Sequence, residues 1–187
     1  MKINLITDAL ILVDVQNDFC PGGALAVREG DLVVKPLNFA QKFFRHILAT
    51  RDWHPEDHCS FLGQGGPWPP HCIQNTHGAK FHPDLEISRA WVISKAFDKD
   101  KDAYSGFQGT DLEERLKREG IKRVFVGGLA TDYCVRATVL DALNAGFEVV
   151  LLEDAVRGVD VKSGDSEKAV AEMKERGTVL IKTPALN

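Results

Sequence analysis

RVFVGGLATDYCV, residues 123–135, joins an apolar run to a polar segment that opens a helix, with two glycines at the joint. The run 123–128 is hydrophobic without alternation, as expected of a strand covered on both faces in a parallel sheet. Helical periodicity follows over 132–145 and stops at Gly146, a residue that accepts the left-handed conformation closing a helix. Cys134 therefore sits at a helix start, where free N–H groups and the positive dipole end favour a thiolate and can bind an oxyanion. Thr131 or Asp132 is the expected cap. A lone cysteine in such a place is ordinarily just buried; its company argues for more.

Outward from this unit the pattern repeats. Apolar runs at 9–14, 46–50, 90–94, 148–152 and 178–182 read as further strands, and amphipathic stretches at 32–45, 111–119 and 166–176 as helices. Gly120 and Gly177 close two of them as Gly146 closes the third. Strand–helix alternation predicts a doubly wound α/β fold: a six-stranded, mainly parallel sheet with helices on both faces, one domain spanning 1–187. Ligands of such sheets lie beyond the carboxyl ends of the strands. Residues 51–89 interrupt the rhythm with a proline-rich loop holding every histidine except His46; a loop this long inside a compact domain is usually functional.

Composition excludes several classes. Apolar residues make up 44% and charged residues 27%, and the net charge of −4 carries no basic patch for nucleic acid. No run is apolar enough to span a membrane, and Met1–Asp8 lacks the apolar core of a signal peptide, so a cytoplasmic protein is expected. Cys20, Cys59, Cys72 and Cys134 form no C-x-x-C pair, which argues against a zinc ribbon or disulfide framework and for reduced thiols.

The first, third and fourth strands each deliver one reactive group to the same edge of the sheet: Asp14, Lys95 and Cys134. A cation beside a thiol lowers its pKa, and a carboxylate in reach can take and return its proton. Residues two apart in an extended segment face the same way, so Asp52 and His54 can share one ion. With His71 they make a carboxylate–imidazole set suited to Zn²⁺, Fe²⁺ or Mn²⁺. His58 is a further ligand or a supporting neighbour; His77 and His82 have no spacing that recommends them. Phe19, Trp68 and Tyr104 lie near these groups in sequence and would suit a planar aromatic substrate.

Read in order, 12–19 (LVDVQNDF) with Gly22-Gly23, 52–58 (DWHPEDH), 71–74 (HCIQ), Lys95 and 128–135 (GLATDYCV) resemble the nicotinamidase branch of the isochorismatase-like hydrolases. The resemblance covers roughly residues 8 to 157. It implies a triad of Asp14, Lys95 and Cys134, metal ligands Asp52, His54 and His71, and one divalent ion, zinc ahead of iron or manganese. It also implies a cis peptide before Ala130, whose N–H joins that of Cys134 in an oxyanion hole. The implied reaction turns nicotinamide into nicotinate and ammonia through a thioester, for NAD salvage, with pyrazinamide as a second substrate. Two alternatives stand beside it: a metal-free hydrolase of the same superfamily, which the Asp52/His54/His71 set disfavours, and a non-catalytic protein of this fold. Gly127-Gly128 is no dinucleotide fingerprint. The partner expected is a small molecule, with neither nucleic acid nor membrane; a homo-oligomer is left open.

Overall fold

The computed structural model describes residues 1–187. Its centre is a six-stranded sheet of β1 (Asp8–Val13), β2 (His46–Asp52), β3 (Trp91–Lys95), β4 (Arg123–Leu129), β5 (Glu148–Arg157) and β6 (Val179–Ile181) in the order β3-β2-β1-β4-β5-β6. Every pairing is parallel. All six β1 residues are buried, and alternation sends Leu10 and Leu12 to one core and Ile11 and Val13 to the other. The helices divide unequally. Leu37 of α1 (Val34–Ala40) packs in the first core, whereas Leu116 of α2 (Leu112–Arg118), Val139 of α3 (Arg136–Asn144) and Met173 of α4 (Asp165–Glu175) pack in the second. Gly120, Gly146 and Gly177 close the last three at φ of 70°, 89° and 106°.

Three of the departures from the expected boundaries have a physical reason in the structure. The predicted helix 32–45 is α-helical only over α1, with 3₁₀ turns at Gly30–Val33 and Gln41–Phe43. The ring of Pro36 would collide with the carbonyl four residues earlier in an α-helix, so the chain before Val33 cannot join it. The fifth strand runs past its expected end at Leu152 through the charges Glu153 and Asp154 to Arg157. Asp154 does not stop it because its carboxylate accepts the Thr183 N–H (2.8 Å) and hydroxyl (2.7 Å). Finally, β1 stops at Val13, and Asp14 turns out of the strand at φ 47°.

Strand order reverses direction at β1, whose neighbours are β2 and β4, so the crevice at this switch point opens above β1 and β4. Close approach there requires glycine: a Cβ on Gly128, at φ 132°, would lie 2.1 Å from the Val13 carbonyl oxygen. That contact brings the end of β4, and the turn carrying Cys134, against the end of β1.

Candidate active site

Lys95 is the hub of the site. Its register partner on β2 is Asp52, and neighbouring residues of parallel strands point the same way. The Lys95 side chain is fully buried, yet its ammonium is surrounded: Nζ hydrogen-bonds Asp52 Oδ1 and the Ala103 carbonyl (3.2 Å), lies 3.0 Å from Asp14 Oδ2 and 3.5 Å from Cys134 Sγ. Asp14 Oδ1 accepts the Thr50 hydroxyl at 2.6 Å. Its Oδ2 has no well-aligned hydrogen bond, and a carboxylate oxygen of Asp14 comes within 4.8 Å of the thiol sulfur. The structure thus brings Asp14, Lys95 and Cys134 together.

Their electrostatics correct one expectation. Burial pushes the Cys134 thiol well above its ordinary value, and Lys95 only partly offsets this, which favours the protonated thiol over the thiolate that a helix start suggests. Charge transfer out of water costs more here than one ammonium shared between two carboxylates returns. Burial also raises Asp14, against the pull of Lys95 and with a further push from Asp52. Lys95 stays charged: burial pulls it down, but Asp14 and Asp52 hold it well above its normal value. Asp52 is opposed by burial and nevertheless lowered by Lys95 and His54. A proton held near the Asp14–Cys134 pair can therefore move between them over a short distance.

Asp52 also belongs to a second group. Its Oδ2 faces His54 Nε2 at 3.5 Å and His71 Nε2 at 3.9 Å, and one donor atom from each residue falls within 4.8 Å of the others. Each imidazole is oriented from behind, by Nδ1–H donated to the Ala96 carbonyl (3.2 Å) in His54 and to the Pro69 carbonyl (2.8 Å) in His71. Both Nε2 lone pairs are thereby turned toward Asp52, and the buried His54 Nε2 has no hydrogen-bond partner. Burial lowers the His71 pKa, favouring the neutral, ligating form. These donors and the carbonyls behind them suit a divalent transition-metal ion. His58 is excluded from it, because Nε2 donates to the Lys101 carbonyl (3.2 Å) and Nδ1 accepts from Ser60 Oγ (2.7 Å). It stacks on His54 instead, ring centroids 4.2 Å apart. His77 is exposed on the far part of the loop.

Phe19, Trp68 and Tyr104 line one pocket with Cys134, His54 and His71. Trp68 Nε1–H donates to the Tyr104 hydroxyl at 2.9 Å, so the two rings hold each other. Tyr133, which sequence reasoning missed, lies against both, 5.0 Å from Trp68 and 5.7 Å from Tyr104; its only signal was adjacency to Cys134. Leu25 and Val159 also line the pocket, and neither carries a signal in its local sequence. The Leu129–Ala130 peptide is cis, and the Ala130 carbonyl accepts the N–H groups of Tyr133 (3.1 Å) and Val135 (3.0 Å). Residues Thr131–Val135 form a π-helical turn with no side-chain cap, contrary to the expected capping by Thr131 or Asp132. The Asp132 carboxylate is spent elsewhere, accepting the N–H groups of Val159 and Asp160, each at 2.9 Å, which fastens the Val159 wall to the turn carrying Cys134.

The family described as Isochorismatase domain matches residues 8–185. The nicotinamidase of Escherichia coli (strain K12) is 42% identical, the alignment covering 92% of this chain and 93% of that protein. The pyrazinamidase of Pyrococcus horikoshii, crystallised in complex with zinc, is 56% identical over 94% of this chain and 98% of its own, with a TM-score of 0.87. The PnC1 protein of L. infantum, in complex with nicotinate, superposes with a TM-score of 0.95 at 42% identity, over 100% of this chain and 98% of its own.

Proposed function

The chain belongs to the isochorismatase family, and from that membership and the site's geometry we propose that it is a metal-dependent cysteine amidohydrolase converting nicotinamide to nicotinate and ammonia, with pyrazinamide as a second substrate. The observation that carries this reading is the side-by-side placement of Asp14, Lys95 and Cys134 with Asp52, His54 and His71 around one aromatic pocket. A metal-free hydrolase would have no use for two imidazoles aimed at one carboxylate, nor a non-catalytic protein for a buried thiol beside a base.

In the mechanism, the pyridine ring enters between Phe19 and the Trp68–Tyr104 wall, with its carboxamide over Cys134. Asp14 takes the thiol proton as Sγ attacks the amide carbon. Lys95, 3.5 Å from the sulfur, offsets the charge that develops there and keeps Asp14 in reach. The N–H groups of Ala130 and Cys134 receive the oxyanion, a contact worth about 2.7–4 kcal/mol per donor. Asp14 returns the proton to the departing nitrogen, ammonia leaves, and a thioester remains. Asp14 then deprotonates a water that attacks the thioester, and its proton goes back to sulfur as nicotinate is released. Asp52, His54 and His71 would hold the divalent ion, zinc by preference, which when bound supplies a Lewis-acid anchor for the ring nitrogen.

Asp14 works as a base only when ionised, so kcat/KM falls as pH drops through its raised pKa. The Thr50 hydroxyl, donating to the ionised form, holds that pKa down. Thr50→Val is therefore expected to move the acid limb of the kcat/KM profile to higher pH while leaving the plateau far less affected. A limb that stays in place would separate it from Asp14.

With four free thiols, the protein fits a reducing cytoplasm, where nicotinate feeds NAD salvage. No helix is long and apolar enough to cross a membrane. The direct test is ammonia release from nicotinamide by the purified protein, paired with elemental analysis. Inactivity of fully zinc-loaded protein on nicotinamide and pyrazinamide would sink the proposal.

A further inference from the structure

Asp14 is followed at alternate positions by Gln16 and Asp18, which the mechanism above does not use. Gln16 is completely buried. Its Oε1 accepts the Asp52 N–H at 2.8 Å, and its Nε2 donates to the Asp52 carbonyl at 2.8 Å and to the Ala79 carbonyl at 2.9 Å. The reason lies in the sheet. Strands β1 and β2 pair as far as Val13 and Thr50, and there the left-handed turn at Asp14 takes the chain away. The peptide groups of Asp52 are left facing no strand, and unpaired buried groups are costly. A glutamine side chain carries the donor and acceptor of a peptide and stands in for the missing strand.

Asp18 does the same for the other arm of the site. Its Oδ2 accepts the Cys72 N–H at 2.7 Å and its Oδ1 the Ala24 N–H at 3.1 Å. Cys72 directly follows His71 and is held at φ 46°, a conformation that non-glycine residues keep only under outside constraint. The fit is close enough that a Cβ on Gly78 would meet the Asp18 carboxylate at 2.0 Å.

We propose that Gln16 and Asp18 are positioning residues for the metal centre: they hold the backbones of Asp52 and of the His71–Cys72 turn at the separation an ion requires. One short segment would then carry the triad's carboxylate and set the metal-ligand geometry. This rests on the metal reading of the preceding section.

The test is zinc affinity of the apo full-length chain, measured by chelator competition, with the visible spectrum of the cobalt-loaded protein and thermal unfolding as parallel readouts. Gln16→Met keeps the shape and removes all three hydrogen bonds. Asp18→Asn leaves one acceptor where two are used and turns an NH₂ against an N–H. Each is expected to weaken zinc binding about 10–100-fold, the usual effect of removing an outer-shell partner, and to shift the cobalt bands. Gln16→Glu keeps the Asp52 N–H acceptor and loses both donated bonds, so it gives the same direction of change if Gln16→Met fails to fold. Gln41, equally buried but bonded to Asn38 (3.2 Å) ahead of the amino end of β2, is the control: Gln41→Met should lower the unfolding temperature and leave zinc affinity alone. Gln16 and Asp18 variants that bind zinc as wild type does, with unchanged cobalt bands, would overturn the proposal and leave these residues as packing. So would a Gln41→Met variant weakened to the same extent. Wild-type protein that binds no ion would overturn the metal reading itself, a separate result.

Discussion

Cys134→Ala is expected to lower kcat for nicotinamide by roughly 10⁴–10⁶-fold, the range found when the nucleophile of a catalytic unit is removed. Cys20→Ala, Cys59→Ala and Cys72→Ala should largely keep activity. The contrast follows from surroundings. Burial raises the Cys20 thiol, to about 11 with Asp31 nearby, and the Cys72 thiol, as it does Cys134, so acidity does not separate them and the partners do. Neither thiol makes a hydrogen bond with a lysine, whereas Cys134 has Lys95 at 3.5 Å and an Asp14 oxygen in reach. Asp14→Asn and Lys95→Ala should each approach the loss of Cys134→Ala, since groups acting as one unit do not contribute additively. Lys95→Ala carries a second expected effect, because it leaves two buried carboxylates without their cation. Steady-state ammonia release from the seven proteins reads all of this, and a Cys134→Ala variant with even a tenth of wild-type kcat would rule out the thioester route.

Benzamide is expected to be hydrolysed at least roughly 100-fold less efficiently than nicotinamide in kcat/KM, within the range for losing a dedicated polar contact. Its outline matches, so the walls of Phe19, Trp68 and Tyr104 accept it equally; only the ring nitrogen is missing. Pyrazinamide keeps a nitrogen meta to the carboxamide and should be turned over. Picolinamide moves that atom beside the carboxamide and should be poor, because anchoring its ring would carry the amide away from Cys134. Chelator-stripped protein should lose most activity toward nicotinamide and regain part of it with Zn²⁺, Mn²⁺ or Fe²⁺. Equal turnover of benzamide and nicotinamide would mean that ring stacking sets specificity and Asp52, His54 and His71 do not.

The positions of the reactive groups were legible because a parallel sheet leaves little choice. Asp14, Lys95 and Cys134 each follow a continuous apolar run, and once those runs are parallel, whatever follows them must gather at one edge. The D-x-H spacing of Asp52 and His54 works the same way, through two-residue strand periodicity. His58 was not decidable by such means. It has the sequence credentials of a ligand, and only its bonds to Ser60 and the Lys101 carbonyl show that its nitrogens are spent. Tyr133, Leu25 and Val159 were invisible because a pocket wall is assembled from segments whose local patterns carry no mark of it.

The sequence by itself determined the alternation of strands and helices, the edge where chemistry gathers and the identity of the groups delivered there, because these follow from local periodicity and from the one topology that buries it. Only the tertiary structure decided how those groups act on one another. Asp52 is shared between Lys95 and the two histidines, burial raises the Cys134 thiol against the pull of Lys95, Asp132 fastens a wall where a helix cap was expected, and Gln16 replaces a missing strand. Each depends on distances between residues far apart in the chain and on the exclusion of water around them. Local pattern encodes neither, since the energy of a charge or a hydrogen bond is set by what surrounds it after folding.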